Sequence, residues 1–282
     1  VTKADPRVNA YRDDLAAVAL KGIVDAPRYV EGRRAMVNGG YTPLRNAPRD
    51  DAGLDTQLLY GEAFTVYDEK DGWAWGQAQY DNYVGYARSR SLTFEVRPPT
   101  HRVWTLGTPL LPKPSVKTPA LELLPMNANV SVIGDENGFA QVEDHGFVYA
   151  AHLIPIEDSL EDWVGVAERF IGTPYLWGGK TAAGCDCSGL IQTALEAGGR
   201  LSPRDTDMME AALGRELDVP EGLSGLTRGD LVFWKGHVGV MLDEVRLLHA
   251  NAFHMLVAVE PLADAAERIA NNEGEIRSIK RL

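Results

Sequence analysis

Cysteine is nearly absent from this chain: there are two in 282 residues, Cys185 and Cys187. That excludes a disulfide framework. A bridge between residues two apart would be strained, so two free thiols point to a reducing compartment. Long apolar runs are also missing. The first one, Leu15 to Leu20, is six residues long and follows Asp13-Asp14, too short and too acidic at its front for a signal peptide. No run approaches the ~20 residues of a membrane span. The expectation is a cytoplasmic protein, with export as the alternative if a leader preceded Val1. Positive charge is scarce: 28 Lys and Arg stand against 40 Asp and Glu, a formal net charge of −12. Nucleic acid and anionic membrane are poor partners for such a chain.

What is present is the composition of an ordinary globular protein, 45% apolar and 24% charged. The length suits about two domains of ~100–200 residues, or three small ones. Residues 1–32 form a lead-in in which Leu15, Val18, Ala19 and Val24 suggest a short helix, a clasp across domains. An internal repeat follows. Thr42-Pro43-Leu44 recurs as Thr108-Pro109-Leu110, an offset of 66. At the same offset Thr65-Val66-Tyr67 matches Ser131-Val132-Ile133, and Gly72-Trp73-Ala74 matches Gly138-Phe139-Ala140. Each copy closes on Gly-aromatic, Gly85-Tyr86 and Gly146-Phe147, seven residues before Leu92 and Leu153. Short alternating runs split by Asp-Gly or Asn-Gly turns indicate small β-barrels, at 33–98 and 99–157. The first copy carries five extra residues around Trp75 to Tyr83. A loop rich in Tyr and amides suits contact with a ligand or neighbouring domain, or is a longer hairpin with surface aromatics.

From 158 to 282 the pattern changes. Leu160, Val164, Ala167, Phe170 and Ile171 suit an amphipathic helix, with Asp158-Ser159 as possible caps. Gly184-Cys185-Asp186-Cys187-Ser188-Gly189-Leu190-Ile191 puts a cysteine where a second helix begins, since Leu190, Ile191, Ala194 and Leu195 recur at helical spacing. A thiol in a first helical turn feels the positive end of the dipole and free N–H groups, which lower its pKa. Cys187 is therefore a candidate nucleophile. Cys185 lies ahead of the helix and is a rival, more simply a bystander. Short apolar strands follow at Leu231–Trp234, His237–Leu242 and Val245–His249, and helices followed by strands read as α+β.

A cysteine nucleophile needs a base, and the base an orienting group. A hairpin turning at residue 243, midway between His237 and His249, places the two histidines directly opposite, with Cβ atoms about 4.5–5.5 Å apart. His237 is then the base and His249 fixes its tautomer, with Asn251 in reserve. Zinc is the rival chemistry for Cys185, Cys187, His237 and His249, but Cys-x-Cys is tighter than the usual C-x₂₋₄-C pair. The reading is of no metal and no cofactor. The Cys187 backbone N–H is one oxyanion donor. Asp186 and Ser188 flank the thiol, either to bind polar substrate groups or to cap the helix.

Four motifs carry a resemblance: Pro174-Tyr175-x-Trp177-Gly178-Gly179, Asp186-Cys187-Ser188-Gly189-Leu190, Gly229-Asp230-Leu231 and Gly236-His237-Val238-Gly239-Val240. From about Asp162 to the end the chain resembles the NlpC/P60 cysteine peptidases, a papain-like family that cleaves peptidoglycan peptides. The two repeats resemble bacterial SH3 (SH3b) domains. The resemblance implies an α+β papain-like catalytic domain after two SH3-like barrels. It assigns the same roles to His237 and His249, a second oxyanion donor to the Tyr175 hydroxyl, and a substrate groove to Trp177 and Gly178. Ser202-Pro203-Arg204-Asp205-Thr206-Asp207 resembles the Arg-Asp-Ser signature of the SH3b-containing γ-D-glutamyl-L-diamino acid endopeptidases, with Thr206 keeping the hydroxyl. In that subgroup the Asp pairs with the amino group of an N-terminal L-Ala. A buried ammonium needs such a partner, and Asp205 fits, although Asp and Thr are also good N-caps. The subgroup's first SH3b domain supplies a Glu and a Tyr as a wall that selects free amino ends, here Glu62 and Tyr83. The implied reaction is hydrolysis of L-Ala-γ-D-Glu-diamino acid peptides in murein peptide recycling. The alternatives are a secreted hydrolase anchored to the wall by its SH3b domains and a wall-binding protein with an inert catalytic domain.

Overall fold

Residues 4–143, 146–218 and 221–282 are described by a computed structural model. The first three residues of the lead-in lie outside them. The chain divides into two compact units, one ending at Asp158 and the other running from Ser159 to Leu282.

The lead-in and both repeats are a single unit. The lead-in is not helical. Tyr11–Arg12, Leu15–Ala17 and Tyr29–Val30 form a three-stranded sheet, followed within it by a 3-10 turn at Val18–Leu20. Leu15, Ala16 and Ala17 are all buried. Ala10, Leu15 and Ala17 pack on Trp75, with Tyr67, Val84 and Tyr86 at the edge of the cluster.

The first repeat is a seven-stranded sheet ordered Leu92–Thr93, Arg33–Val37, Ala63–Lys70, Trp73–Ala78, Val84–Arg88, Tyr41–Arg45, Leu54–Leu59. Asp71 and Gly72, at φ 52° and 77°, make the hairpin turn that the Asp-Gly signal predicts. Asn137 and Gly138 do the same in the second repeat, at φ 54° and 79°. A 3-10 turn precedes the last strand of each, at Ser89–Ser91 and Ala150–His152. The extra residues of the first copy lengthen a hairpin: Trp73–Ala78 is strand, and Trp75 and Tyr83 are buried rather than displayed. The repeats share interior. Tyr60 of the first belongs to the core cluster of the second, with Val103, Leu124 and Val148, and its carbonyl accepts the Asn129 N–H at 2.8 Å.

The second unit is a six-stranded antiparallel sheet ordered Arg215–Leu217, Ser278–Arg281, Leu231–Trp234, His237–Met241, Arg246–Asn251, Leu256–Pro261. Helix α1 (Trp163–Glu168) is shorter than its apolar pattern suggests. Its N-cap is Asp162, whose carboxylate accepts the Gly165 N–H at 2.9 Å, not Asp158 or Ser159. Helix α2 (Cys187–Ala197) is buried along its whole length and packs on the 237–241 and 246–251 strands. Helix α3 (Thr206–Ala212) follows. Helix α4 (Leu262–Ala270) lays Leu262, Ala265 and Ile269 over Val232, Trp234, Met241 and Leu247. Asp230 ties the final strand down by accepting from Arg281 Nε and Nη2 at 2.7 and 2.6 Å. Among the described residues no helix is long and apolar enough to cross a membrane.

Candidate active site

The N-terminus of α2 is held by one carboxylate. Asp186 is its N-cap: Oδ1 accepts the Gly189 N–H at 2.7 Å, and Oδ2 accepts the Gly178 N–H at 2.7 Å and Arg204 Nη2 at 2.8 Å. Arg204 also donates from Nη1 to Ser188 Oγ at 2.7 Å. Burial disfavours the guanidinium charge, but Asp186 outweighs it and holds the Arg204 pKa above its ordinary value. Gly189 is required by close approach: a Cβ there would stand 2.1 Å from the Gly179 carbonyl oxygen. The WGG and DCSG motifs are thus two halves of one contact.

Cys187 is the first residue of α2 and is buried. Its sulfur lies against the strand that carries His237. Sγ donates to the Gly236 carbonyl at 3.9 Å, one residue before His237. The thiol pKa does not fall as expected from a helix start. Burial, then the Asp186 charge, push it up to about 11 against the pull of Val238, Arg204 and Thr206.

His237 Nε2 and His249 Nδ1 are 2.8 Å apart. The register that brings them together differs from the symmetric hairpin. Val240 pairs with Leu248 and Met241 with Leu247, and the turn closes around Asp243, which accepts the Val245 and Arg246 N–H groups. Extended, that register sets His249 across from Gly239 and makes His237 its diagonal neighbour. The centre of the hairpin is 244 rather than 243, which keeps both rings on one face. Gly239 leaves room for the slant: a Cβ there would meet Leu247 Cδ1 at 2.7 Å and His249 Cβ at 3.1 Å. Burial, then the neighbouring His249 and Arg268, lower the His237 pKa to about 3.

The chemistry of this arrangement is that of a thiol and an imidazole pair set side by side, and comparison with known proteins agrees. Residues 172–266 match the NlpC/P60 family, and residues 44–92 match the bacterial dipeptidyl-peptidase Sh3 domain. The chain carries an NlpC/P60 peptidase domain. It is 25% identical over 242 residues to dipeptidyl-peptidase 6 of Lysinibacillus sphaericus, covering 77% of this chain and 87% of that one. It is 28% identical over 233 residues to the gamma-D-glutamyl-L-lysine dipeptidyl-peptidase of Bacillus subtilis, covering 71% and 73%. An NlpC/P60 family protein from Bacillus cereus shares the fold, with a TM-score of 0.72 at 20% identity over 88% of this chain and 99% of that one.

Around the NlpC/P60 thiol, the remaining expected residues divide. Tyr175 is half-buried, and burial, then the Cys187 and Asp186 charges, raise its pKa, so it stays a neutral donor. Trp177 is 69% exposed, which rules out a core role. Gly178 is buried with its N–H on Asp186. Asp205 precedes α3 but makes no side-chain cap bond to it. Three of the residues expected to bind substrate are bonded to one another. Arg204, Asp186 and Ser188 are buried and satisfied by one another, because an ion pair this far from water must be saturated with partners. They brace the helix start. Glu62, in the first unit, is buried, and its carboxylate accepts the Leu59 N–H at 3.0 Å. Cys185 is buried on the 184–185 strand with its pKa pushed up to about 12, chiefly by burial, and is inert by that measure. Asn251 accepts from the His254 N–H at 2.8 Å and so holds the 251–254 turn, leaving the partnership with His237 to His249.

Sequence reasoning missed Glu260. Its Oε1 lies 2.7 Å from His249 Nε2 and also receives Arg268. Burial opposes the carboxylate's ionisation, but His249 and Arg268 outweigh it and lower its pKa. The available signal was weak: an acidic residue closing an apolar strand, with a basic residue two helical turns on.

Proposed function

We propose that this protein hydrolyses the bond between γ-D-Glu and the diamino acid in small murein peptides that begin with a free L-Ala, and that it serves peptide recycling in the cytoplasm. The observation that carries the reading is the 2.8 Å contact of His237 with His249 beside a helix-leading thiol bonded to the Gly236 carbonyl. The names of the relatives support the bond class.

In this reading His237 takes the Cys187 proton as sulfur attacks the γ-carbonyl carbon. The oxyanion is met by the Cys187 N–H and the Tyr175 hydroxyl. The C–N bond breaks, the leaving amine takes the proton from His237, and L-Ala-γ-D-Glu remains as a thioester. Water, deprotonated by His237, attacks that thioester; the C–S bond breaks and the thiol is restored. Trp177 and Gly178 line the groove. Asp205, at the start of α3, binds the ammonium.

The test is release of free diamino acid from L-Ala-γ-D-Glu-diamino acid by the full chain. Wild type is expected to release it, Cys187→Ala to release none, and the N-acetylated tripeptide to resist cleavage. Asp205→Asn is expected to raise KM for the free peptide by tenfold or more. Cleavage of the acetylated peptide or of insoluble wall in preference to the free tripeptide would overturn the recycling reading in favour of a wall hydrolase.

A further inference from the structure

Glu260 sits on the 256–261 strand, where the ladder pairs Ala258 with His249 and Glu260 with Leu247. It is therefore the diagonal neighbour of His249 on the same face, which is how its Oε1 comes to lie 2.7 Å from Nε2. Arg268 of α4 reaches the same oxygen, and its guanidinium lies 4.2 Å from the centre of the Phe253 ring. His249 is fully buried, and the Glu260 and Arg268 side chains are 13% and 23% exposed. The chain of contacts runs His237, His249, Glu260, Arg268.

Donor and acceptor identities propagate along it. An ionised carboxylate only accepts, so His249 must carry its hydrogen on Nε2. A neutral imidazole has one N–H, so His249 Nδ1 is a lone pair. That lone pair stands 2.8 Å from His237 Nε2, which must therefore donate. The remaining nitrogen of His237, Nδ1, keeps its lone pair. Without the carboxylate, His249 is free to carry its hydrogen on Nδ1 and donate it to His237 Nε2. His237 then holds its own hydrogen on Nδ1 and has no basic nitrogen to offer a thiol.

We propose that Glu260 and Arg268 are positioning residues which set the proton arrangement of the histidine pair, so that Nδ1 of His237 is the nitrogen that takes the thiol proton. Arg268 acts through Glu260 by holding its oxygen in place. The two also act on the pair with opposite signs, since Glu260 favours a proton on it and Arg268 disfavours one. The other titratable groups near the pair are Cys187 of α2, whose sulfur bonds to the Gly236 carbonyl beside His237, and His254 of the 251–254 turn. The inference rests on the peptidase reading above for its kinetic part only.

The test uses the full chain labelled with ¹⁵N-histidine, with long-range ¹H–¹⁵N spectra assigned by His237→Gln and His249→Gln. Both rings are expected as the neutral Nε2–H form, and a hydrogen on Nδ1 of either ring in the wild type overturns the proposal. Glu260→Gln keeps an acceptor oxygen and loses the charge: it is expected to keep both tautomers and to lower kcat about tenfold with KM within twofold. Glu260→Leu is expected to yield a mixture of tautomers at His249 and a fall in kcat beyond that of Gln. Arg268→Gln is expected to move the acid limb of kcat/KM up by about one pH unit. A pair that merely fastens α4 to the sheet would lower stability in all three variants and leave tautomers and acid limb in place, and that result overturns the proposal. If the wild type cleaves no peptide, the peptidase reading fails while the spectra still decide the proton arrangement.

Discussion

Replacing Arg204 with Met should loosen the helix that carries Cys187. The guanidinium is 1% exposed and the Asp186 side chain 9%. Removing one member of a buried ion pair strands the other and costs about 3–5 kcal/mol. Asp186 keeps two N–H partners at 2.7 Å, from Gly178 and Gly189, which places the expected loss at the low end, about 3 kcal/mol. At 1.4 kcal/mol per tenfold, that is a rise of about a hundredfold in the opening equilibrium. Hydrogen exchange of the 187–197 amides reads this locally, apart from the first unit. The double variant Asp186→Asn, Arg204→Met should exchange more slowly than the sum of the single losses predicts, because no lone charge is left buried. Arg204→Lys should not rescue, since one ammonium cannot hold Ser188 and Asp186 as the planar fork does. Exchange of α2 within threefold of wild type in Arg204→Met would refute the bracing role.

Further expectations concern the reacting groups. A thiol at about 11 beside an imidazole at about 3 is a neutral pair at rest, so alkylation of Cys187 by iodoacetamide should be slow at pH 7 and climb through pH 9–11; a plateau below pH 7 would show a preformed ion pair instead. His237 titrates near 6.5 when unfolded and near 3 when folded, so the unfolded chain binds more protons in that window. Stability should therefore be full above about pH 6.5 and fall as pH drops toward 3, and His237→Gln should flatten that slope in urea titrations. Gly239→Ala should push His249 off His237 and lower kcat by tenfold or more with KM little changed; wild-type kcat would show that the slant does not depend on the missing side chain.

Much of the architecture was legible because it is written in local periodicity. The offset repeat marked two β-rich segments, the Asp-Gly and Asn-Gly turns fell where φ is positive, and the helix bearing the Leu190, Ile191, Ala194 and Leu195 spacing starts at Cys187. The two histidines were legible as a same-face pair because a shift of two in the register preserves the face. The lead-in was not, since Leu15, Ala16 and Ala17 fit a helical stripe as readily as a strand, and only Trp75, sixty residues on, decides between them. Charge was read least well. The helix start promised a more acidic thiol, but its advantage depends on solvation, and α2 is buried throughout.

The same reason hid the charged residues that matter most in the second unit. Arg204, Glu260 and Arg268 carry side chains that lie on the surface in most proteins; Arg204 was read as part of a substrate signature, and Glu260 and Arg268 drew no reading at all. Arg204 is separated by eighteen residues from Asp186, and Glu260 by eleven from His249; neither pair shares a helix or a strand. What joins them is tertiary: the close approach of two glycine-bearing segments at Gly179 and Gly189, and a strand register with no turn signal of its own. The nucleophile and its base could therefore be named from motifs, whereas the groups that hold the helix start and orient the imidazoles required the fold.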